Sequence, residues 1–233
     1  YFLFYALTII ILPAVSKSTS SNNHAETKKL IGQSLRLMVM FLLPIAILMA
    51  VYSRPVLQIF YGNKFLAAAG PMSILMAGVT FLTIFYVMAF ALNGAGKVKA
   101  PMYIAFAGLT TNIILSYFFI HQYGLTGAAV ATSITSFVAM ILVLAYSYNF
   151  FGYLFKFSSF VKILLASAIM YFASIFFPEG KYIFLLWSAI LFAIYIFLLY
   201  IFREFGASDL EILKQLLAKK KLKTAADVEE EAL

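Results

Sequence analysis

Apolar runs long enough to cross a lipid bilayer recur along this chain, and none of them contains Asp or Glu. A span needs about 20 predominantly apolar residues. In hydrocarbon every backbone N–H and C=O must find a partner inside the protein, which restricts spans to helices or closed barrels. Seven runs can be drawn: 1 to about 15, about 35–51, about 71–92, 101–120, 127 to about 146, 160–177 and 182–202. They predict an all-α fold, a polytopic transmembrane helix bundle of about seven spans. The chain is 64% hydrophobic and 11% charged, against about 45–50% and about 25% in soluble domains. A soluble interior of this size cannot hide that much apolar surface. The first run opens at Tyr1, with no Met and no basic segment before it. It reads as the remainder of a span whose upstream protein is missing, and not as a signal peptide.

Charge sets the orientation. With the loop after the first run placed on side one, that side collects Lys17, Lys28, Lys29, Arg36, Lys97, Lys99, Lys156, Lys162, Arg203 and the tail lysines, fourteen of the 17 basic residues. Side two collects Arg54, Lys64 and Lys181. Basic residues concentrate on the cytoplasmic side of membrane proteins, so side one and the C-terminus are expected in the cytoplasm, with the chain in the inner membrane. A net charge of +8 distributed in this way faces anionic membrane lipids, so no nucleic-acid partner is expected. The chain has no cysteine, and both histidines, His24 and His121, lie outside the apolar runs. No disulfide, metal or cofactor is expected.

The connections carry turn chemistry. A polar cluster, Ser18 to Asn23, follows the first run, and Pro71 and Pro101 stand where helices start. Pro13 and Pro44 fall inside helical runs and are expected to kink or end them. The stretch 54–62 is too short to cross and is expected to lie at the outer interface. Pro178-Glu179-Gly180-Lys181 reads as a tight link. Arg36 and Lys162, close to span ends, are expected to snorkel. The tail opens with Ser208 and Glu211 in a capping box and continues as a basic amphipathic helix on the cytoplasmic surface. The division is therefore 1–205, a transmembrane unit, and 206–233, an amphipathic helix with a charged end.

Three patterns bear on function. Asn93-Gly94-Ala95-Gly96-Lys97 contains a GxGK string, but Val98 stands where a phosphate-binding loop needs Ser or Thr, so it reads as a turn. Gly127, Ala131 and Thr135 recur every four residues, a spacing that lets helix backbones approach closely. Asn112 and Ser116 share one helix face, as do Thr132 and Ser136. These four are the densest polar groups at membrane depth. Two readings stay open for them: bonds between helices, or an uncharged lining for a polar path. No carboxylate pair or nucleophile–base arrangement occurs within the runs, which argues against an enzyme and against a proton-coupled carrier with its acids in this part.

The order of several segments resembles polysaccharide-biosynthesis flippases of the multidrug/oligosaccharidyl-lipid/polysaccharide exporter superfamily. Those segments are Leu12-Pro13-Ala14-Val15-Ser16-Lys17, the polar loop to Lys28-Lys29, Pro44, Phe60-Tyr61-Gly62-Asn63-Lys64-Phe65, the Asn93–Lys97 turn, and Tyr123-Gly124-Leu125-Thr126-Gly127-Ala128-Ala129-Val130-Ala131-Thr132-Ser133. The resemblance covers about residues 1–205 and implies 12–14 helices in two lobes around a central cavity. This chain would then be the C-terminal lobe, partnered by a missing N-terminal lobe. It further implies alternating access, with a polyprenyl-linked oligosaccharide or polysaccharide repeat unit as substrate. A drug/cation antiporter of the same superfamily is the near alternative. A membrane glycosyltransferase or polymerase is the distant one, which the short outer loops disfavour.

Overall fold

A computed structural model describes residues 15, 16, 19, 24–152, 157–176, 183–202 and 204. Among them every regular element is a helix: α1 (His24–Val51), α2 (Ser53–Phe60), a 3-10 turn (Asn63–Ala68), α3 (Ala69–Gly94), α4 (Lys99–Phe151), α5 (Phe157–Ile175) and α6 (Ile183–Ile201). Five are long and apolar enough to cross a membrane. One of these, the 53-residue α4, leaves helical geometry at Gly124 (φ 57°, ψ −133°) and forms two arms, 99–123 and 125–151. The described residues therefore supply six of the expected crossings. Residues 1–14 of the first apolar run, the Pro178 link and the 206–233 tail lie outside the described residues.

Helix α1 begins at His24, well before the apolar run at 35. Its 28 residues extend about 42 Å at 1.5 Å per residue, more than the roughly 30 Å of hydrocarbon. Its first turns, with Lys28 and Lys29, project beyond the lipid core. Pro44 does not end the helix. A proline lacks the N–H that would bond four residues back, here to the Met40 carbonyl. That carbonyl instead accepts the Tyr195 hydroxyl of α6 at 2.7 Å, in a fully buried contact.

Tyr52, itself buried, separates α1 from α2. The eight residues of α2 are too few to cross, as expected for an interfacial segment. Gly62, with φ 81°, then reverses the chain into the 3-10 turn. Pro71 and Pro101 both fall in the first turn of their helices. At the end of α3, Gly96 (φ 76°) allows Lys97 N–H to bond Leu92 O at 2.8 Å and Gly96 N–H to bond Asn93 O at 3.0 Å. This is a Schellman cap. The GxGK string thus closes a helix, and its glycine is used for backbone geometry.

Helix α3 lies between the α4 hairpin and α1, and α1 in turn carries α5 and α6. The core joins Leu35, Met38 and Met40 of α1 with Val87, Met88 and Leu92 of α3, Ile163 and Met170 of α5, and Leu191 and Leu199 of α6. At the α3–α4 crossing a Cβ on Gly78 would sit 2.9 Å from the Ser133 Cα, and the Ser133 hydroxyl donates to Ile74 O at 3.0 Å. At the hairpin tip a Cβ on Gly127 would strike the Phe119 carbonyl and lie 2.9 Å from the Ile120 nitrogen.

Two outcomes check this packing. Gly78→Ala is expected to lower stability by about 1–3 kcal/mol, the usual range for overpacking, whereas Gly70→Ala, with nothing within 4 Å of the added carbon, is expected to be neutral or slightly stabilising. Tyr195→Phe is expected to cost about 1–3 kcal/mol by orphaning a buried carbonyl. Adding Pro44→Ala to Tyr195→Phe supplies the missing N–H and is expected to recover part of that loss. Thermal melting of the detergent-solubilised protein reads both. An additive double variant would show that the Tyr195 bond and Pro44 are independent.

Candidate functional site

The α4 hairpin carries all the residues singled out for packing or lining. Its register follows from three contacts: Gly127 against Phe119 and Ile120, Asn112 against Thr132, and Gly108 against Thr135 at 3.8 Å from a built Cβ. Antiparallel arms keep the sum of facing residue numbers nearly constant, and these contacts do. The buried positions Gly127, Ala131 and Thr135 thus run along the seam with the first arm. The Thr135 hydroxyl turns back to Ala131 O at 2.9 Å, satisfying itself within its own helix.

Of the four polar positions the structure brings two together. Asn112 Nδ2 donates to Thr132 Oγ1 at 3.4 Å, a long bond. Both residues are half-buried, so the amide keeps accessible donor and acceptor capacity. Ser116, also half-buried, lies one turn toward the hairpin tip. Ser136, buried at 4% exposure, lies one turn toward the open end. The two serines therefore flank the Asn112–Thr132 pair in opposite directions, and the four do not form one ring. Thr110 bonds its own helix at Phe106 O.

The sequence reading passed over Glu204. It is 4% exposed and accepts from Lys162 Nζ at 3.1 Å, with Arg36 Nη1 at 3.7 Å from its other oxygen. Lys162 also donates to Phe202 O at 3.1 Å, placing a cation at the carbonyl-rich end of α6. Arg36 and Lys162, the two basic residues close to span ends, both meet one carboxylate and join α1, α5 and the end of α6. The available signal was that Glu204 is the first acid after the last apolar run, on the same side as both cations.

Removing this carboxylate leaves two cations facing each other. Breaking a buried pair costs about 3–5 kcal/mol and an exposed one under about 1. With side chains of Arg36 and Lys162 at 25% and 38% exposure, Glu204→Gln is expected to cost about 2 kcal/mol by thermal melting. A combined Lys162→Glu and Glu204→Lys exchange is expected to recover part of it; no recovery would reduce the contact to incidental proximity.

With this geometry in view, comparison with known proteins is informative. A family model described as lipid II flippase MurJ matches residues 2–201. A putative O-antigen transporter of Shigella flexneri is 33% identical over 110 residues, 47% of this chain and 26% of that protein. A probable low-salt glycan biosynthesis flippase, Agl15, of Haloferax volcanii is 24% identical over 165 residues, 71% of this chain and 35% of that protein. The chain therefore spans only about a quarter to a third of these relatives. A solved structure of lipid II flippase MurJ in an inward closed conformation shares the fold, with TM-score 0.74 and 24% identity over 88% of this chain and 45% of that one. The match from residue 2 to residue 201 takes in every described helix, and by it the chain belongs to the lipid II flippase MurJ family, a family of multi-pass membrane transporters and not of enzymes.

Proposed function

We propose that this chain forms the C-terminal lobe, residues 1–205, of a flippase that moves a polyprenyl-linked saccharide across the cytoplasmic membrane by alternating access. The family match over residues 2–201 carries this reading. The relatives named for O-antigen transport and glycan biosynthesis favour a sugar-bearing substrate. The second lobe would come from the rest of the protein. Residues 27–178 contain no Asp or Glu, so antiport coupled to a carboxylate has no foothold in this stretch. The end of the bundle bearing Lys28, Lys29, Lys97, Lys99 and the Glu204 cluster faces the cytoplasm, and residues 206–233 follow on that side.

In this reading the Asn112–Thr132 pair supplies uncharged lining, with Ser116 and Ser136 to either side. Neutral hydrogen bonds contribute about 0.5–1.5 kcal/mol each, enough to replace water around passing hydroxyls and weak enough to release them. Packing alone would use the same bond, so experiment must separate the two.

The full-length protein in proteoliposomes is expected to expose an undecaprenyl-diphosphate saccharide to an impermeant glycosidase on the far leaflet. Folded protein that fails to do so, yet exports a cationic dye, would favour the antiporter. Single cysteines at 112, 116, 132 and 136, introduced into a protein free of others, are expected to label with an impermeant thiol reagent at 112 and 132 and to lose labelling when substrate accumulates. If all four stay inert in a transporting protein, the path lies elsewhere. A periplasm-dependent reporter fused after Leu233 is expected to stay silent; strong signal would invert the orientation.

A further inference from the structure

The end of the bundle opposite Lys97 and Lys99 holds few charges, and two of its three cations, Arg54 and Lys64, lie on one small unit, α2 and the 3-10 turn. Depletion of basic residues on this side makes such a concentration informative. Neither residue has an ion-pair partner among the described residues, and both are exposed. No acid lies between residues 27 and 178, so the stretch that carries both cations offers them no counter-charge; Glu179, the acid on the same side, lies outside the described residues.

The unit is also shaped. Helix α2 buries Ser53, Pro55 and Leu57 against the bundle. Arg54, Gln58 and Tyr61 fall at i, i+4 and i+7, one helical face. Gly62 folds the 3-10 turn back beside α2, and two contacts fix it there: Gln58 Nε2 donates to Asn63 Oδ1 at 2.9 Å, and the Tyr61 and Phe65 rings lie 5.7 Å apart. Lys64 stands between those two fixed residues. The unit from 53 to 68 thus carries a guanidinium, an ammonium, two amides and an exposed aromatic pair. Cations recognise phosphate oxygens, while amides and aromatic faces supply what sugar hydroxyls and C–H faces bind.

We propose that α2 and the 3-10 turn dock the headgroup of the lipid-linked saccharide at the outer leaflet, with Arg54 and Lys64 on its phosphates and Gln58, Tyr61 and Asn63 on the first sugar. This rests on the flippase reading and names a holding site on the delivery side. Phe60, 73% exposed at the end of α2, offers a position for a probe on the same unit.

The test uses the full-length protein with p-benzoylphenylalanine in place of Phe60, cross-linked to undecaprenyl diphosphate bearing one N-acetylhexosamine. Cross-link yield is expected to fall about 25-fold in R54Q/K64Q, since each basic residue near an anionic surface contributes about fivefold, and to return in R54K/K64R. Gln58→Ala with Asn63→Ala is expected to lower the yield with the sugar-bearing lipid and to leave bare undecaprenyl diphosphate unchanged. Equal yields in the wild type and R54Q/K64Q would overturn the proposal. So would competition by phosphatidylglycerol as effective as by the glycolipid, which would reduce the unit to a plain phospholipid contact. Translocation measured on the same wild-type sample separates failure of this site from failure of the flippase reading.

Discussion

A backbone carbonyl in hydrocarbon has no water to turn to, and Pro44 creates such a carbonyl at Met40 in the middle of α1. The cost of an unsatisfied group there is several kcal/mol. The Tyr195 hydroxyl meets the need from another helix, 155 residues away in sequence. Because α1 is the helix that touches α3, α5 and α6, this one bond ties the last span to the hub of the bundle. A tyrosine in the most apolar stretch of the chain is thereby explained as well. Its ring contributes to the core and its hydroxyl has a buried acceptor.

The same logic governs the polar ends. Lipid tolerates charge only where it is paired or can reach water. Glu204 shares one negative charge between a cation from α1 and one from α5, and Lys162 simultaneously caps α6. Helix α6 is thus held to α1 midway along its length by Tyr195, and α5 and the end of α6 are joined to α1 by Glu204. Between those points the contacts are apolar, and apolar surfaces gain little from each other in a solvent that is itself apolar. Directional polar bonds at two depths therefore fix the angle of the terminal hairpin more firmly than its large exposed faces could.

Much of this was legible in the sequence, with identifiable gaps. Apolar runs locate helices because hydrocarbon forces them, yet they mark where lipid stops and not where the helix stops. The helix begins at His24, while the run begins near 35, because helical turns with Lys28 and Lys29 extend into water. The runs 101–120 and 127–146 are both helical and apolar enough to cross, but Gly124 joins them into one bent element whose tip sets the register. Only the register pairs Asn112 with Thr132 and sends Ser116 and Ser136 apart. The positions at four-residue spacing, Gly127, Ala131 and Thr135, are buried. The close crossing of α3 and α4, Gly78 on Ser133, had no periodic signal, since a single glycine opposite a single serine suffices. Long-range partners such as Met40 with Tyr195, or Arg36 with Glu204, depend on tertiary packing that no local window contains.

In the proposed alternating-access reading, these joints bear on how the chain moves. Rocking between two states requires that a lobe be stiffer inside than at the surfaces it slides on. Here α3 meets α4 with a glycine in place of a side chain, and interiors packed at that distance shift only by discrete rearrangement. At the hairpin tip Gly127 brings the two arms of α4 together at backbone distance from Phe119. The terminal hairpin is fixed at two depths. The first arm of α4, by contrast, exposes Tyr103, Phe106, Ile113 and Tyr117, a face free to exchange one apolar neighbour for another at little energetic cost. Such a distribution of rigid seams and featureless outer faces suits a body that turns as a unit, and it places any switch at its boundary, where α2 with Arg54 and the Glu204 cluster stand at opposite ends.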